Sequence, residues 1–426
     1  MLREIYVDLN NIFLSLSDAI DLANPEIACH QMRCAYMVWQ MAKEAGLPRE
    51  RVKRLYMAAL LHDIGALTPK DKTRLHTFEE TDILAHCLRG EVLFQSVPLL
   101  APAAPIVRHH HRDWCDCDGS IGDPDVLDAQ ILLLADWVER LVRRDCFILS
   151  QMEGITARIR SMEKTIFHPD VVELFVRASD REEFWLDVAS PRLYGLLLRE
   201  GPLRSIEIPF EDIASIAGAM QKIIDFRSPF TATHSAGVAE CAALLTGHFG
   251  YMETEVKLMH LAGHVHDLGK LIIPNAILEK QGKLTREEFQ VVKQHTYFTY
   301  EVLLSIDRLE RVAEWAAFHH EKLDGTGYPF RVGAEKINTG SRIMAVADIF
   351  TALTEDRPYR PGMPLDKALA ILTEQADSGK IEPRVVTLLG DHAKEISQQV
   401  KEAQLESMRF YTKHFTDAVL AEHKVA

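Results

Sequence analysis

Histidine and carboxylate residues in the second half of the chain follow an order that could hold divalent metal ions. Neutral imidazoles and carboxylates are both ligands that such ions accept. The pair His266-Asp267 is followed by Gly269, and Asp348 interrupts the apolar segment AVADIF. Burying an unpaired carboxylate would be costly, so a metal explains Asp348 better than a structural salt bridge does. The candidate ligands are His234, His266, Asp267, His295, His319, His320 and Asp348.

The adjacent pair His266-Asp267 suggests two ions rather than one. Neighbouring side chains on an α-helix project about 100° apart, so one ion cannot easily take both from the middle of a helix. A carboxylate at a helix end could instead bridge two ions, with histidines on either side, and Gly269 ends the predicted helix. Single histidines in an apolar helix, such as His260 and His264, are more often ordinary core or surface residues.

The same residue types recur in the first half of the chain in the same order. Each has a counterpart 204 to 212 residues later. The pairs are His30 with His234, His62-Asp63 with His266-Asp267, His86 with His295, and Asp136 with Asp348. This order, with small drifts at loops, predicts a duplicated domain. Two unrelated helical bundles are the weaker alternative, because Pro25 and Pro229 each stand five residues before the leading histidine.

The segments that carry these residues show a helical period. LYMAALLHDIGAL (55–67) and KLMHLAGHVHDLGK (257–270) are predicted helices that stop at Gly65 and Gly269, and 130–141 and 342–353 form another such pair. No stretch shows the sustained alternation expected of several strands. We predict an all-α fold with two tandem domains.

The predicted domains are 1–190 and 213–400. Breakers such as Pro191, Gly201 and Pro209 favour a linker at 191–212. The charged segment 401–426 is predicted to be a helical tail that caps the second domain or forms a homodimer. A length of 426 residues, 47% of them hydrophobic and 26% charged, suits two ordinary domains.

Charge and hydropathy narrow the possible partners. A net charge of −14 argues against binding a nucleic-acid duplex, which calls for a basic face. No apolar run reaches the roughly 18 residues needed to span a bilayer, and the N-terminus lacks the basic start of a signal peptide. We expect a soluble cytoplasmic protein without a membrane partner. A small anionic substrate is compatible if metals and a few basic residues make one site locally positive.

The second half resembles the HD-GYP phosphodiesterases over about residues 213–400. Four motifs carry the resemblance in a fixed order: TATHSAGVAE (231–240), HDLGKLIIPNAIL (266–278), HHEKLDGTGYP (319–329) and RIMAVADIFTALTEDRPYR (342–360). The resemblance implies two tandem HD-type domains. It also implies hydrolysis of cyclic di-GMP to linear pGpG, and in some members on to GMP, at an iron or manganese centre.

The resemblance further implies roles for individual residues. One ion would be bound by His234, His266, Asp267 and Asp348, and the other by Asp267, His295, His319 and His320. Lys270 would contact phosphate, and the other substrate contacts would be Tyr328, Arg357 and Arg360. The alternatives are a turn residue packed on Pro329 for Tyr328 and a solvated surface charge for each arginine. Members with a third ion place a glutamate four residues before the leading histidine, where this chain has Phe230, so we expect two ions.

The expected mechanism follows from the chemistry of such ions. A water held between two divalent ions loses a proton near neutral pH, and the resulting hydroxide attacks phosphorus in line while the 3′ oxygen leaves. The ions and Lys270 would stabilise the charge on the phosphoryl oxygens, which makes Asp267 and Lys270 the expected catalytic residues. The alternatives are an HD hydrolase for another cyclic dinucleotide or nucleotide, and a nucleotide-sensing scaffold without turnover.

The first half keeps residues of the types that bind metal but lacks counterparts of the expected substrate contacts. Ala66 stands at the position of Lys270, and Asp145 and Ile148 stand where the second half has its two arginines. The candidate ligands are Glu26, His30, His62, Asp63, His86, His109, His110 and Asp136. Which two histidines of 109–111 would bind is open, because loop lengths differ. We expect a degenerate HD domain that binds metal and is regulatory or structural; the alternative is a metal-free relic of duplication.

Overall fold

The computed structural model describes residues 6–21, 28–68, 71, 83–228, 231–280, 282–356 and 361–416. Within these ranges the chain forms twenty α-helices and one antiparallel sheet of two short strands, which confirms the all-α prediction. The chain divides into two compact units, residues 1–66 with 70–212, and residues 67–69 with 213–426. None of the described helices is both long and apolar enough to cross a bilayer.

The first unit is built around helix α2. Its elements are β1 (Tyr6–Asp8), α1 (Leu9–Asp21), α2 (His30–Glu44), α3 (Arg49–Leu61), α4 (Ile83–Gln95), α5 (Ala104–His109), α6 (Pro124–Leu141), α7 (Met152–Arg160), α8 (Pro169–Ala178), α9 (Glu182–Val188), α10 (Leu193–Glu200) and β2 (Glu207–Pro209). Helix α2 packs against both α3 and α6. Its first residue, His30, therefore lies near Asp136 of α6 and near Asp63, in the turn that follows α3.

The second unit repeats this plan around α12. Helix α11 (Phe210–Asp225) leads into it, and its elements are α12 (His234–His248), α13 (Glu253–Val265), α14 (Asn275–Leu278), α15 (Arg286–Leu304), α16 (Glu310–Ala317), α17 (Thr339–Thr354), α18 (Leu365–Asp377), α19 (Pro383–Asp391) and α20 (Ala393–His414). Helix α12 packs against α13, α17 and α20. Its buried residues lie on all sides, as expected for a helix enclosed by others.

Residues 191–212 do not form an extended linker. Leu193 and Leu197 of α10 are buried, as is Leu203. Strand β2 then pairs antiparallel with β1, with Ile208 opposite Val7. The prolines and glycines of this stretch mark the ends of short elements, while the apolar residues between them pack into the first unit.

The segment 401–416 is not a separate tail, because it continues helix α20, which begins at Ala393. The Ser407 hydroxyl donates to the Ala232 carbonyl oxygen at 2.7 Å. The Phe410 and Phe415 rings lie 6.0 and 4.9 Å from the ring of Phe226. Helix α20 thus packs beside the segment that leads to His234.

The two His-Asp pairs lie in tight turns rather than inside helices. Helix α3 ends at Leu61 and α13 ends at Val265, and each is followed by a 3₁₀ turn, His62–Gly65 and Leu268–Ile272. The sequence had predicted that both helices continue to the glycine. The earlier end frees the histidine and the aspartate from the helical spacing of their side chains.

The glycine after each pair allows the turn to touch the next helix. A Cβ atom at Gly269 would lie 1.9 Å from the carbonyl oxygen of His295, and one at Gly65 would lie 2.0 Å from that of His86. The Gly269 amide also donates to the Thr299 hydroxyl at 2.9 Å. The turn is therefore held directly against α15, the helix that carries His295.

We expect Gly269→Ala and Gly65→Ala each to lower the free energy of unfolding, by about 1–3 kcal/mol or more, because the added carbon overlaps backbone atoms. Gly390→Ala is the control, since Gly390 is exposed inside α19 with nothing within 4 Å of its Cβ position. That substitution should be neutral or should stabilise the protein by up to about 1 kcal/mol. Urea denaturation measures all three, and a Gly269→Ala protein as stable as wild type would contradict the close approach.

Candidate metal centres

Three histidines of the second unit are oriented by the backbone. The Nδ1 atoms of His266, His295 and His319 lie 2.8, 2.6 and 2.6 Å from the carbonyl oxygen three residues earlier. A carbonyl oxygen only accepts, so each Nδ1 must carry the proton, and the lone pair of each ring is on Nε2. A backbone or carboxylate partner of this kind is the usual support of a metal-binding imidazole.

His234, at the start of α12, faces Asp348 of α17. Its Nε2 lies 3.1 Å from Asp348 Oδ1, and its Nδ1 lies 3.4 Å from Glu355 Oε2. Burial opposes a charge on His234, but the hydrogen bond to Asp348 and the nearby carboxylate of Glu355 outweigh it and raise the pKa of His234 to about 10. An ion between His234 and Asp348 would displace that proton. Sequence reasoning missed Glu355, although it lies within the motif that contains Asp348.

The carboxylate of Asp267 lies between two groups of histidines. Its Oδ2 is 3.2 Å from His266 Nε2, whereas its Oδ1 is 3.4 Å from His295 Nε2 and 4.0 Å from His319 Nε2. Burial opposes ionisation of Asp267, but nearby His266 and Lys270 outweigh it and hold its pKa well below the usual range. A carboxylate placed in this way can offer one oxygen to each of two ions.

Each group of ligands is compact. The ligating atoms of His234, His266 and Asp348 all lie within 4.8 Å of one another, and the same holds for the group that contains His320, namely His295, His319 and His320. Burial lowers the pKa of His295 to about 3, which keeps this imidazole neutral. The seven ligands expected from the sequence therefore meet at one place.

The unpaired atoms at this place fit divalent ions. Asp267 Oδ1 and His266 Nε2 are buried without a hydrogen-bond partner. Buried polar atoms of this kind normally have partners, and a cation would supply one. Imidazole nitrogens and carboxylate oxygens together suit ions such as iron and manganese. The residues present thus fit a centre for two ions.

Lys270 lies beside the carboxylate of Asp267. Its Nζ donates to Asp267 Oδ2 at 2.5 Å. The backbone around it is fixed by Arg227, a buried residue that sequence reasoning missed. The Arg227 guanidinium donates to the carbonyl oxygens of Lys270 and Ile273, and to Asn275 Oδ1 at 2.6 Å. A single arginine between two predicted helices offered no signal for this role.

Tyr328 lies at the rim of the His295 side of the centre. Its ring is 4.9 Å from that of His320, and its amide donates to the His320 carbonyl oxygen at 3.3 Å. The buried carboxylate of Glu321 accepts from the amides of Phe330, Arg331 and Val332 at 2.7, 3.1 and 3.2 Å. Glu321, also missed from sequence, holds the loop that presents Tyr328.

Three residues of the second unit that the sequence analysis singled out fall outside the described residues. Arg357 and Arg360 are among them, and so is Phe230, on which the expectation of two rather than three ions rested. Their roles stay predictions.

In the first unit, the two oxygens of the Asp63 carboxylate also face different histidines. Asp63 Oδ2 lies 3.6 Å from His62 Nε2 and 3.7 Å from His30 Nε2. Asp63 Oδ1 lies 3.6 Å from His86 Nε2 and 3.8 Å from His110 Nε2. The proposed ligands His30, His62, Asp63, His86 and His110 therefore meet as their counterparts do, and Glu26 lies outside the described residues.

The structure does not place His109 in this cluster. His109 is exposed at the end of α5, whereas the group around Asp63 contains His86, His110 and His111. The helix ends at His109, so the two residues that follow turn inward. The prediction of His109 as a ligand is corrected to His111.

We expect Asp267→Asn to lower the metal content of the second unit at both positions, because an amide cannot offer an anionic oxygen to two ions. His260→Ala is the control, since His260 lies on the same helix α13 with a side chain that is 41% exposed. Metal analysis of the full chain after loading with Mn²⁺ provides the measurement. Unchanged metal content in Asp267→Asn would mean that this carboxylate holds neither ion.

Comparison with known proteins agrees with this geometry. Residues 218–385 and residues 27–141 match two families that are each described as an HD domain. A solved structure from Vibrio cholerae, the cyclic GMP-AMP specific phosphodiesterase V-cGAP3, superposes with a TM-score of 0.62 over 92% of this chain and 98% of that chain. At 23% identity, that likeness concerns the fold alone.

Relatives in sequence extend the match to both units. The 3′3′-cGAMP-specific phosphodiesterase 1 of Vibrio cholerae is 30% identical over 395 residues, which cover 90% of this chain and 91% of that protein. The cyclic di-GMP phosphodiesterase response regulator RpfG of Xanthomonas campestris is 34% identical over 220 residues, 51% of this chain and 58% of that protein. The chain belongs to the HD-GYP phosphodiesterases of the HD superfamily, with a degenerate HD domain preceding the one that carries the GYP motif.

Proposed function

We propose that the second unit hydrolyses a phosphodiester bond of a cyclic dinucleotide at two divalent ions. The observation that carries this proposal is the position of Asp267, whose two oxygens face separate groups of histidines 3.2 to 4.0 Å away. Lys270 and Tyr328 lie beside those groups, where a bound phosphate and base would be. Family membership supports the same reaction type.

The proposed ligands form two sets, one for each ion. His234, His266 and Asp348 would hold one ion, His295, His319 and His320 would hold the other, and Asp267 would be shared. Iron or manganese bound there would generate a nucleophile from water near neutral pH and would withdraw charge from the phosphoryl oxygens.

The remaining residues act on the substrate. The ammonium of Lys270, a compact charge on a flexible stem, would turn from Asp267 towards a non-bridging phosphoryl oxygen as negative charge develops there. The ring of Tyr328, 4.9 Å from that of His320, would lie against the sugar or base next to the reacting phosphate. Arg357 and Arg360 are proposed to contact the second phosphate.

Two substrates are candidates. The motifs of the second unit favour cyclic di-GMP, cleaved to linear pGpG and then to GMP if the linear product is attacked again. The relative that matches over both units is named a 3′3′-cGAMP-specific phosphodiesterase, which favours 3′3′-cGAMP as the second candidate. Both present the same two 3′–5′ phosphodiester linkages to the metal centre and differ in one base.

A direct assay separates these outcomes. Purified full-length protein loaded with Mn²⁺ or Fe²⁺ is incubated with cyclic di-GMP or 3′3′-cGAMP, and the products are resolved by chromatography. Linear dinucleotide from at least one substrate is expected, and the ratio of the two kcat/KM values assigns the preference. No product from either, with both ions bound, would contradict the proposed function and favour a nucleotide-sensing scaffold.

We expect Lys270→Met to lower kcat about 10²–10³-fold, as loss of one group that stabilises transition-state charge does, while KM changes little. Metal content should stay at the wild-type level, because Lys270 is not a ligand. Lys280→Met is the matched control: Lys280 is on the surface and pairs with Glu288 at 2.6 Å. A Lys270→Met enzyme with wild-type kcat would show that the ammonium does not act on the reacting phosphate.

A further inference from the structure

In the first unit, an arginine already neutralises one of the candidate metal ligands. Arg140 and Asp136 lie one turn apart on α6, and Arg140 Nε donates to Asp136 Oδ1 at 2.9 Å while Nη2 donates to Oδ2. Their side chains are 7% and 1% exposed. The guanidinium therefore occupies both oxygens of a buried carboxylate in a fork that matches its geometry.

Among the described residues of the second unit, no arginine or lysine forms an ion pair with the corresponding carboxylate, Asp348. The residue four positions after Asp348 is Ala352, so the carboxylate that corresponds to Asp136 has His234 as its partner at 3.1 Å. Conversely, Ala66 of the first unit stands at the position of Lys270. Each unit thus has a cation at this side of the ligands, but the first unit pairs it with Asp136 on a helix and the second with Asp267 in the turn.

Arg140 lies beside the atoms that would hold an ion in one half of the cluster. We call this the His30 half, and it contains His30, His62 and Asp136. His30 Nε2 is 3.4 Å from Asp136 Oδ1 and 3.2 Å from His62 Nε2, so these atoms converge beside the guanidinium. An ion there would have to remove Asp136 from Arg140 and leave a buried guanidinium without its counterion. Two positive charges this close in a buried site repel each other strongly.

The other half of the cluster borders the same ion pair, since His111 Nδ1 lies 3.8 Å from Asp136 Oδ2, but no arginine or lysine among the described residues forms an ion pair with Asp63 itself. Asp63 Oδ1 and His111 Nε2 are buried without a hydrogen-bond partner. The His110 Nδ1 donates to the Val107 carbonyl oxygen at 2.6 Å, which directs Nε2 inward. Ligating atoms of Asp63, His86, His110 and His111 all lie within 4.8 Å of one another.

A cavity borders this half of the cluster at His111. It has a volume of about 400 Å³, and its lining includes His111 and Cys87. The Cys87 sulfur lies 3.7 Å from both His86 Nε2 and His110 Nδ1. Arg108 and Arg112 also line the cavity, which borders the proposed ligands at His111 and does not reach Asp63, His86 or His110.

We propose that the first unit binds a single divalent ion, held by Asp63, His86, His110 and His111, and that the guanidinium of Arg140 takes the place of the second ion. A single ion cannot form the pair of ions that would activate a water between them. This accounts for a domain of this fold that keeps its ligand residues without the two-ion chemistry. The proposal concerns the first unit and does not rest on hydrolysis by the second.

The test is the number of ions bound by the full chain in Mn²⁺, measured by equilibrium dialysis and elemental analysis. His111→Ala should lose one ion relative to wild type, and Arg140→Met should gain one, because Asp136 then becomes available. Two controls should match wild type: His109→Ala, which changes the exposed neighbour, and Asp136→Asn/Arg140→Met, which removes the charge and its partner together.

A second readout addresses folding. Arg140→Met leaves the buried Asp136 carboxylate without its guanidinium partner, so the thermal unfolding temperature of this variant should fall without metal. It should recover on addition of Mn²⁺ by more than that of the double variant. Unchanged metal content in His111→Ala would overturn the single-ion site, and a loss of two ions would overturn the single stoichiometry. An Arg140→Met protein that neither gains an ion nor recovers stability with Mn²⁺ would overturn the role of the guanidinium.

Discussion

The structure depends on burying one carboxylate between two groups of imidazoles. Asp267 and Asp63 each follow a histidine at a helix end, and each is almost fully enclosed. A buried anion without compensation is expensive, so the elements around it must bring positive charge or metal ions to it. The glycine two residues later lets the turn approach the next helix, which carries one of the histidines that face the second oxygen, His295 or His86.

The two duplicated units compensate the charge of the buried carboxylates in different ways. In the second unit the Lys270 ammonium donates to Asp267, and its side chain is partly exposed. In the first unit the Arg140 guanidinium is locked in a bidentate pair with Asp136 and is almost fully buried. A flexible, partly exposed cation suits chemistry on an arriving anion, whereas a rigid buried one suits a permanent replacement for a metal.

Supporting residues determine how rigid the centre of the second unit is. Glu355 orients His234, Arg227 fixes the backbone at Lys270, and Glu321 holds the loop that carries Tyr328. None of these side chains is a proposed ligand or substrate contact. They orient the proposed ligands and substrate contacts, and this orientation keeps a binding site preorganised.

The sequence by itself determined the helical class and the duplication, and it singled out the histidines and aspartates that come together in the second unit, because these depend on residue type, periodicity and spacing along the chain. It misplaced His109, since the end of a short helix decides which of three consecutive histidines turns inward. It also did not predict the fold of residues 191–212, where burial of leucines overrode the breakers. Only the tertiary structure decided that Arg140 neutralises Asp136, because that contact depends on which side chains a packed core excludes from water.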